Sequence, residues 1–212
     1  IRAPHDLYSL KDCDPVKKAN KTKAGSETKK ILMNRSQKGE VRWALCEFPT
    51  KSAAKSCGMT LNEYQDFIFN ACFLQHNNPK NEWQSLSKDQ NKIITTLSNY
   101  TEFQFKHSHT DLKFSLKDRV WINSDGKRNM PSGEVFTSPV EDSVNGHIYF
   151  SFPTRYQGID VEGVTLIVKD GYIENWDAKI GKDALDQAFS IDGSRYFGEV
   201  AIGTNPNIQK AT

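Results

Sequence analysis

The chain has 212 residues, 37% hydrophobic and 25% charged, which suits one or two domains and a core burying roughly 70% of the unfolded chain's surface. Its 28 basic and 26 acidic residues leave a formal charge of +2, so bulk charge gives no reason to expect a nucleic-acid or membrane partner. No apolar run approaches the ~18 residues that a membrane-spanning helix needs.

The chain opens on Ile1 rather than Met and shows no signal peptide, so it is read as a piece of something longer. Residues 14–38 are predicted helical, with Asp14 as the cap and Pro15 at the first helical position. This stretch carries Lys17, Lys18, Lys21, Lys23, Lys29 and Lys30. Without aromatics for base stacking, they read as a solvated face rather than a nucleic-acid site. The apolar "VRWALCEF", Val41 to Phe48, predicts a strand ended by Pro49. Thr60 and Glu63 form a capping box, with Met59 placed to staple against Tyr64. Leu61, Tyr64, Phe67, Ile68, Ala71 and Cys72 then share one helical face. Cys72 on that face is a small core residue rather than a nucleophile. Asn78-Pro79 opens another helix, with Trp83, Leu86, Gln90, Ile93, Ile94 and Leu97 along one packed stripe.

After Tyr100 the periodicity changes from helical to alternating. "EFQFK" alternates, and in "DLKFSL" Leu112, Phe114 and Leu116 share a face. His107-Ser-His109-Thr-Asp111 lies between them and looks like a metal motif. It falls where a hairpin turn is expected, so it is read as a turn. "RVWIN" (Arg119 to Asn123) and "HIYFSF" (His147 to Phe152) are further strands. "GVTLIVK" and "YIENWDA" flank Asp170-Gly171, the strongest short hairpin signal in the chain. A short helix is expected over Asp183 to Phe189, then "RYFGEVAIGTNP". The four cysteines, Cys13, Cys46, Cys57 and Cys72, form no Cys-x-x-Cys pair and read as reduced thiols of a cytoplasmic protein. The fold class is α/β in the broad sense (α+β): a helix-rich first part, then a β-rich antiparallel part.

Two carboxylates break the apolar pattern. In "YFGEVAIG" alternation puts Phe197, Glu199 and Ala201 on one face and Val200 and Ile202 on the other. In "GKRNMPSGEVFTSP" turn residues surround Glu134, which leads into Val135 and Phe136. A carboxylate aimed at an apolar interior must find a cation, a proton or a metal ion. Glu134 at a wet strand edge, or Glu199 paired with Arg195 or Lys182, would also satisfy the pattern. So would a glycosidase-like acid and nucleophile pair. Spacing does not choose among these.

The wording of these stretches adds more. "WINSDGKRNMPSGEVFTSPVEDSVNGHIYFSFP" resembles the metal-dependent aminopeptidases of the M29 family. So do "EFPTKSAAKSCGMTLNEYQDFIFNACF", "YQGIDVEGVTLIVKDGYIENWDAKIG" and "FGEVAIGTNP". The resemblance runs from about Asp14 to the end, with phrases in the same order. It implies a helix-rich remnant of an α/β N-terminal domain over residues 1–108 and a β-rich metal-binding domain over 109–212. It also implies that Glu134 and Glu199 are ligands to a pair of divalent metals, zinc, cobalt or manganese. The activity implied is release of N-terminal amino acids from peptides by a metal-activated water, in a homodimer. The family's histidine, aspartate and tyrosine partners would lie past the "GTNP" phrase. This stretch is therefore expected to hold part of the site and to be inactive alone. His107, His109 and His147 do not match the family's metal histidines. The competing expectation is a non-catalytic binding or structural module that keeps the fold without metal. Pro131 and Gly133 would let the backbone turn sharply and fix the direction of Glu134.

Overall fold

Local capping decides the helical first half of this computed structural model, which describes residues 1–10 and 12–210. The Asp14 carboxylate accepts from the Val16 and Lys17 amides and starts α1 (Pro15–Ala24). Gly25 interrupts, and α2 (Ser26–Gln37) follows. The stretch expected to be helical is therefore two helices. Lys17, Lys21, Lys23, Lys29 and Lys30 are exposed on them.

The strand expected over Val41–Phe48 shrinks to β1 (Leu45–Cys46). A strand is only as long as its ladder. Here the partner is the equally short Asn129–Met130, paired in parallel. After α3 (Lys51–Ser56) comes α4 (Leu61–Ala71), whose capping box is complete: the Glu63 amide donates to Thr60 Oγ1 and the Thr60 amide to Glu63 Oε2. Tyr64, Ile68 and Cys72 pack on Ala53 and Ala54, with Met59 and Met130 against them. Burial, with the nearby Cys46, pushes the Cys72 thiol up to about 11, so it is an inert core group. Asn78 caps α5 (Pro79–Leu97), which buries Leu86 and Gln90. Trp83 of α5 meets Phe73 edge-on at 5.0 Å and donates to the Cys72 carbonyl.

The second half is a run of strands: β2 (Glu102–His107), β3 (Thr110–Ser115), β4 (Ile122–Ser124), β5 (Asn129–Met130), β6 (Glu134–Thr137) and β7 (Asn145–Phe150). These are followed by β8 (Thr154–Tyr156), β9 (Ile159–Val161), β10 (Val164–Lys169), β11 (Tyr172–Asp177), α6 (Lys182–Phe189) and β12 (Val200–Gly203). The strand expected from Arg119 begins only at Ile122, after Asp118 takes a left-handed φ of 59°.

Two antiparallel sheets organise most of these strands, while β8 pairs with β9 alone and β5 with β1. The larger has the order β11-β10-β7-β3-β2. Alternation puts Leu112 and Phe114 of β3, and Val164, Leu166 and Val168 of β10, on its buried face. Ala184 of α6 covers that face, and Trp176 and Phe189 pack against each other beside it. Each such buried aliphatic contributes about 1.5–3 kcal/mol. At the β10–β11 turn Asp170 and Gly171 both have positive φ, 48° and 79°, as a two-residue hairpin with the sheet's own twist requires. The β2–β3 hairpin spans residues 108 and 109, so strands on either side of the expected domain boundary share one sheet. The smaller sheet, β12-β6-β4, carries both singled-out glutamates at or beside its strands. Among the described residues, no helix is long and apolar enough to cross a membrane.

Candidate functional site

Glu134 opens the central strand of the smaller sheet, opposite Ser124 of β4 and Gly203 of β12. Its neighbours are fixed residue by residue. β1 holds Asn129 and Met130, with the Glu47 amide donating to the Met130 carbonyl (2.9 Å). The Ser132 hydroxyl donates to the Ser124 carbonyl (2.8 Å). The Gly133 amide donates to the same carbonyl (3.1 Å), and the Gly133 carbonyl accepts from the Thr204 (2.8 Å) and Asn205 (3.2 Å) amides. Gly133 has φ 119°, and a Cβ there would lie 2.5 Å from the Asn205 Cβ. Only glycine fits this close approach, which is the physical content of the expected sharp turn.

Two buried amides close the arrangement. Asn205 Nδ2 donates to the carbonyls of Ser132 (2.8 Å) and Ala71 (2.9 Å), joining the turn to the end of α4. Gln90 Nε2, from α5, donates to the carbonyls of Glu134 (2.8 Å) and Ser124 (3.2 Å) and to Thr204 Oγ1 (3.0 Å). Sequence reasoning put Gln90 on a packed stripe without giving it this role. The signal was available: an amide at an apolar position must find partners.

Glu199 stands one residue before β12. From Gly203, the register partner of Glu134, back to Glu199 is 203 − 199 = 4 residues. An even count keeps both glutamates on one face, about 13 Å apart along the strand direction. The paired Phe136 and Ala201 lie between them. Glu134 is half-buried, and its burial raises the carboxyl above its ordinary 4.5, with the negative charge of Glu199 adding to the effect. Glu199 itself is exposed, contrary to the inward aim read from alternation. The reason is topological. β12 is an edge strand bonded only to β6, and beyond Val200 its residues are exposed. Neither suggested cation pairs with Glu199: Lys182 binds Asp186 (2.9 Å), and Arg195 donates to the Phe189 carbonyl (3.0 Å) and lies over Trp176.

A cavity of about 440 Å³ opens beside Glu134, between the Pro131–Gly133 turn and the Gly203–Asn205 turn. The carboxylates fit a divalent cation as donors. Both are hard oxygen ligands, both face one side, and among the described residues no ion pair neutralises either. By themselves they do not make a full coordination set: no group of three or more His, Cys, Asp or Glu able to hold a metal occurs among the described residues. His107 and His109 are exposed at the tip of the β2–β3 hairpin, and His147 pairs opposite Asp111 in the larger sheet. The structure thus puts the glutamates along one face of the smaller sheet, with Phe136 and Ala201 between them, and leaves the histidines elsewhere.

The family model for the thermophilic metalloproteases, M29, matches residues 1–212. The chain belongs to the M29 family. It is 31% identical to aminopeptidase AmpS of Bacillus subtilis over 172 residues, covering 76% of this chain and 41% of that protein. Aminopeptidase 2 of Geobacillus stearothermophilus is 28% identical over 221 residues, covering 95% and 53%. The solved structure of wild-type AmpT from Thermus thermophilus superposes with a TM-score of 0.80 at 22% identity, over 95% of this chain and 54% of that one. The fold is therefore that of AmpT. The chain spans about half the length of the curated relatives it matches.

Proposed function

We propose that this chain is part of a metalloaminopeptidase that releases N-terminal amino acids from peptides, with Glu134 and Glu199 as carboxylate ligands to divalent metal. One observation carries the reading: two glutamates share a face of the smaller sheet, the charge of one acts on the other, and among the described residues no ion pair neutralises either. Family membership and relatives named as aminopeptidases support it.

This chain's own residues would do three things. Gly133 and Asn205 hold the turn that presents Glu134. Glu134 and Glu199 supply oxygen donors, and hard carboxylates suit zinc, cobalt or manganese, in the proposed pair of ions. The cavity beside Glu134 gives the end of a peptide room to approach. When bound, the ions would supply Lewis acidity and an activated water. A cytoplasmic homodimer, a domain division near the start of the β-rich part, and inactivity of this stretch alone belong to the same proposal.

The test uses the intact protein. Glu134→Ala and Glu199→Ala should each fold normally, lose bound metal and lose turnover of a leucine chromogenic substrate. Unchanged metal content and turnover in both variants would reject the reading and leave a non-catalytic module.

A further inference from the structure

We propose that Gln90 is a positioning residue for Glu134, setting the direction of its carboxylate through the main chain. The inference rests on reading Glu134 as a metal ligand. Gln90 is fully buried, yet its partners lie 34, 44 and 114 residues away. They are the carbonyl of Ser124 at the end of β4, the carbonyl of Glu134 at the start of β6, and the hydroxyl of Thr204 just past β12. One amide group therefore bonds to two strands of the smaller sheet and to the residue just past the third, at the end where Glu134 sits.

Packing alone does not explain a glutamine here. Its Nε2 has two hydrogens for three acceptors, so one is shared, and its Oε1 is buried with no partner. An unmade bond at a buried polar atom is unfavourable. Methionine or leucine would fill similar space without an orphaned carbonyl. What those side chains would lack is direction.

The geometry shows what that direction does. The peptide plane before Glu134 is held through the Gly133 carbonyl by the Thr204 and Asn205 amides. The plane after it is held through the Glu134 carbonyl by Gln90. With both flanking planes fixed, the Cα–Cβ bond of Glu134 is fixed, and only side-chain torsions remain. Metal–ligand distances tolerate only about 0.2 Å of error, so releasing one plane should be felt at the carboxylate.

The experiment titrates Co²⁺ into the intact, metal-free protein, reading affinity by calorimetry and geometry by the cobalt absorption bands. Gln90→Met keeps the volume and removes the donors. It should weaken Co²⁺ binding by about tenfold or more and shift the bands, as the loss of a group orienting a ligand does. Leu86→Val, one turn earlier on α5 and bonded to none of these acceptors, should lower the thermal midpoint and leave affinity within about twofold. Wild-type affinity and bands in Gln90→Met overturn the proposal, as does an equal loss in Leu86→Val. If Gln90→Met does not fold, Thr204→Val removes one acceptor and should shift the bands the same way by less. No shift there overturns the proposal too. Glu134→Gln separates the two readings. Unaltered Co²⁺ binding in that variant removes Glu134 as a ligand, whereas loss there with no change in Gln90→Met removes only the positioning role.

Discussion

The two larger sheets of this protein are held by different forces. The five-stranded sheet rests on apolar area: Leu112, Phe114, Val164, Leu166 and Val168 face one core, and α6 closes over them. The three-stranded sheet buries little of that kind beyond Val135 and Val200, and Val200 belongs to the larger sheet's core. It is tied instead by amides and hydroxyls: Gln90, Asn205 and Ser132 bind the backbone around Glu134, and Asn123 Nδ2 donates to the Ser87 carbonyl of α5 (3.0 Å). Hydrophobic burial is non-directional and scales with area. Hydrogen bonds add little net stability but specify geometry. The first sheet is held by buried area, the second by directional bonds that fix the backbone around Glu134.

The strongest way to break that comparison is to damage the large core and look for an effect at the glutamates. Leu112 is 1% exposed, and Leu112→Ala should cost about 2–5 kcal/mol in urea unfolding through lost burial and the cavity left behind. Metal affinity of the folded protein should stay within about twofold, since the bonds that fix the backbone of Glu134 come from Gln90, Thr204 and Asn205, although Val200 of β12 also belongs to that core. A large loss of affinity would show that the two sheets are one mechanical unit.

A smaller effect is expected from cutting one polar tie. Asp125, just past β4, accepts from the Ser87 hydroxyl of α5 (2.7 Å) and pairs with Lys127. Burial alone would push its carboxyl up, but bonds from Lys127 and Ser87, with the Lys127 charge, outweigh that and hold it below its ordinary 3.8. A depressed carboxyl contributes stability that is present above the unfolded value and lost as pH falls through the folded one. Asp125→Asn should therefore cost about 1–2 kcal/mol at neutral pH, a modest figure because Lys127 stands in water. The gap should narrow in unfolding experiments as pH falls below the ordinary 3.8 toward the depressed folded value. A gap independent of pH would show that the charge has no part in the tie.

Where signals were local, the fold was legible. The Thr60–Glu63 capping box, the helix opening at Asn78-Pro79, the Asp170-Gly171 hairpin and the alternation of Leu112 and Phe114 all concern residues within a few positions of each other. Failures occurred where the deciding partner is distant. Val41–Phe48 has the composition of a strand, but only Leu45 and Cys46 find a ladder, on residues more than eighty positions away. Alternation put Glu199 on a face with Ala201 and could not tell that β12 is an edge strand whose residues beyond Val200 are exposed. Gln90 was visible as a polar residue in an apolar stripe, while its three acceptors depend on how α5 lies on the sheet. The two glutamates themselves were picked out from chance carboxylates by family resemblance. Periodicity raised the question about Glu134 and left several answers open.

The smallest effect sharpens the comparison from the helical side. Helix α4 has two ends with different duties. Its start is closed by Thr60 and Glu63, at the surface. At its end, the Ala71 carbonyl accepts from Asn205 and the Asn70 carbonyl from Asn207 (2.9 Å), so the turn after β12 is anchored there. Thr60→Ala removes the hydroxyl that accepts from the Glu63 amide and should cost about 0.5–1 kcal/mol, as loss of an exposed N-cap does. Fraying at the first turn does not reach the last one, because the intervening residues Tyr64 and Ile68 stay packed in their cluster. Thermal unfolding should therefore register the change while Co²⁺ affinity does not. If affinity falls along with stability, α4 transmits its whole length to the Asn205 turn, and the division between a scaffold held by area and a site held by direction would have to be redrawn to include that helix.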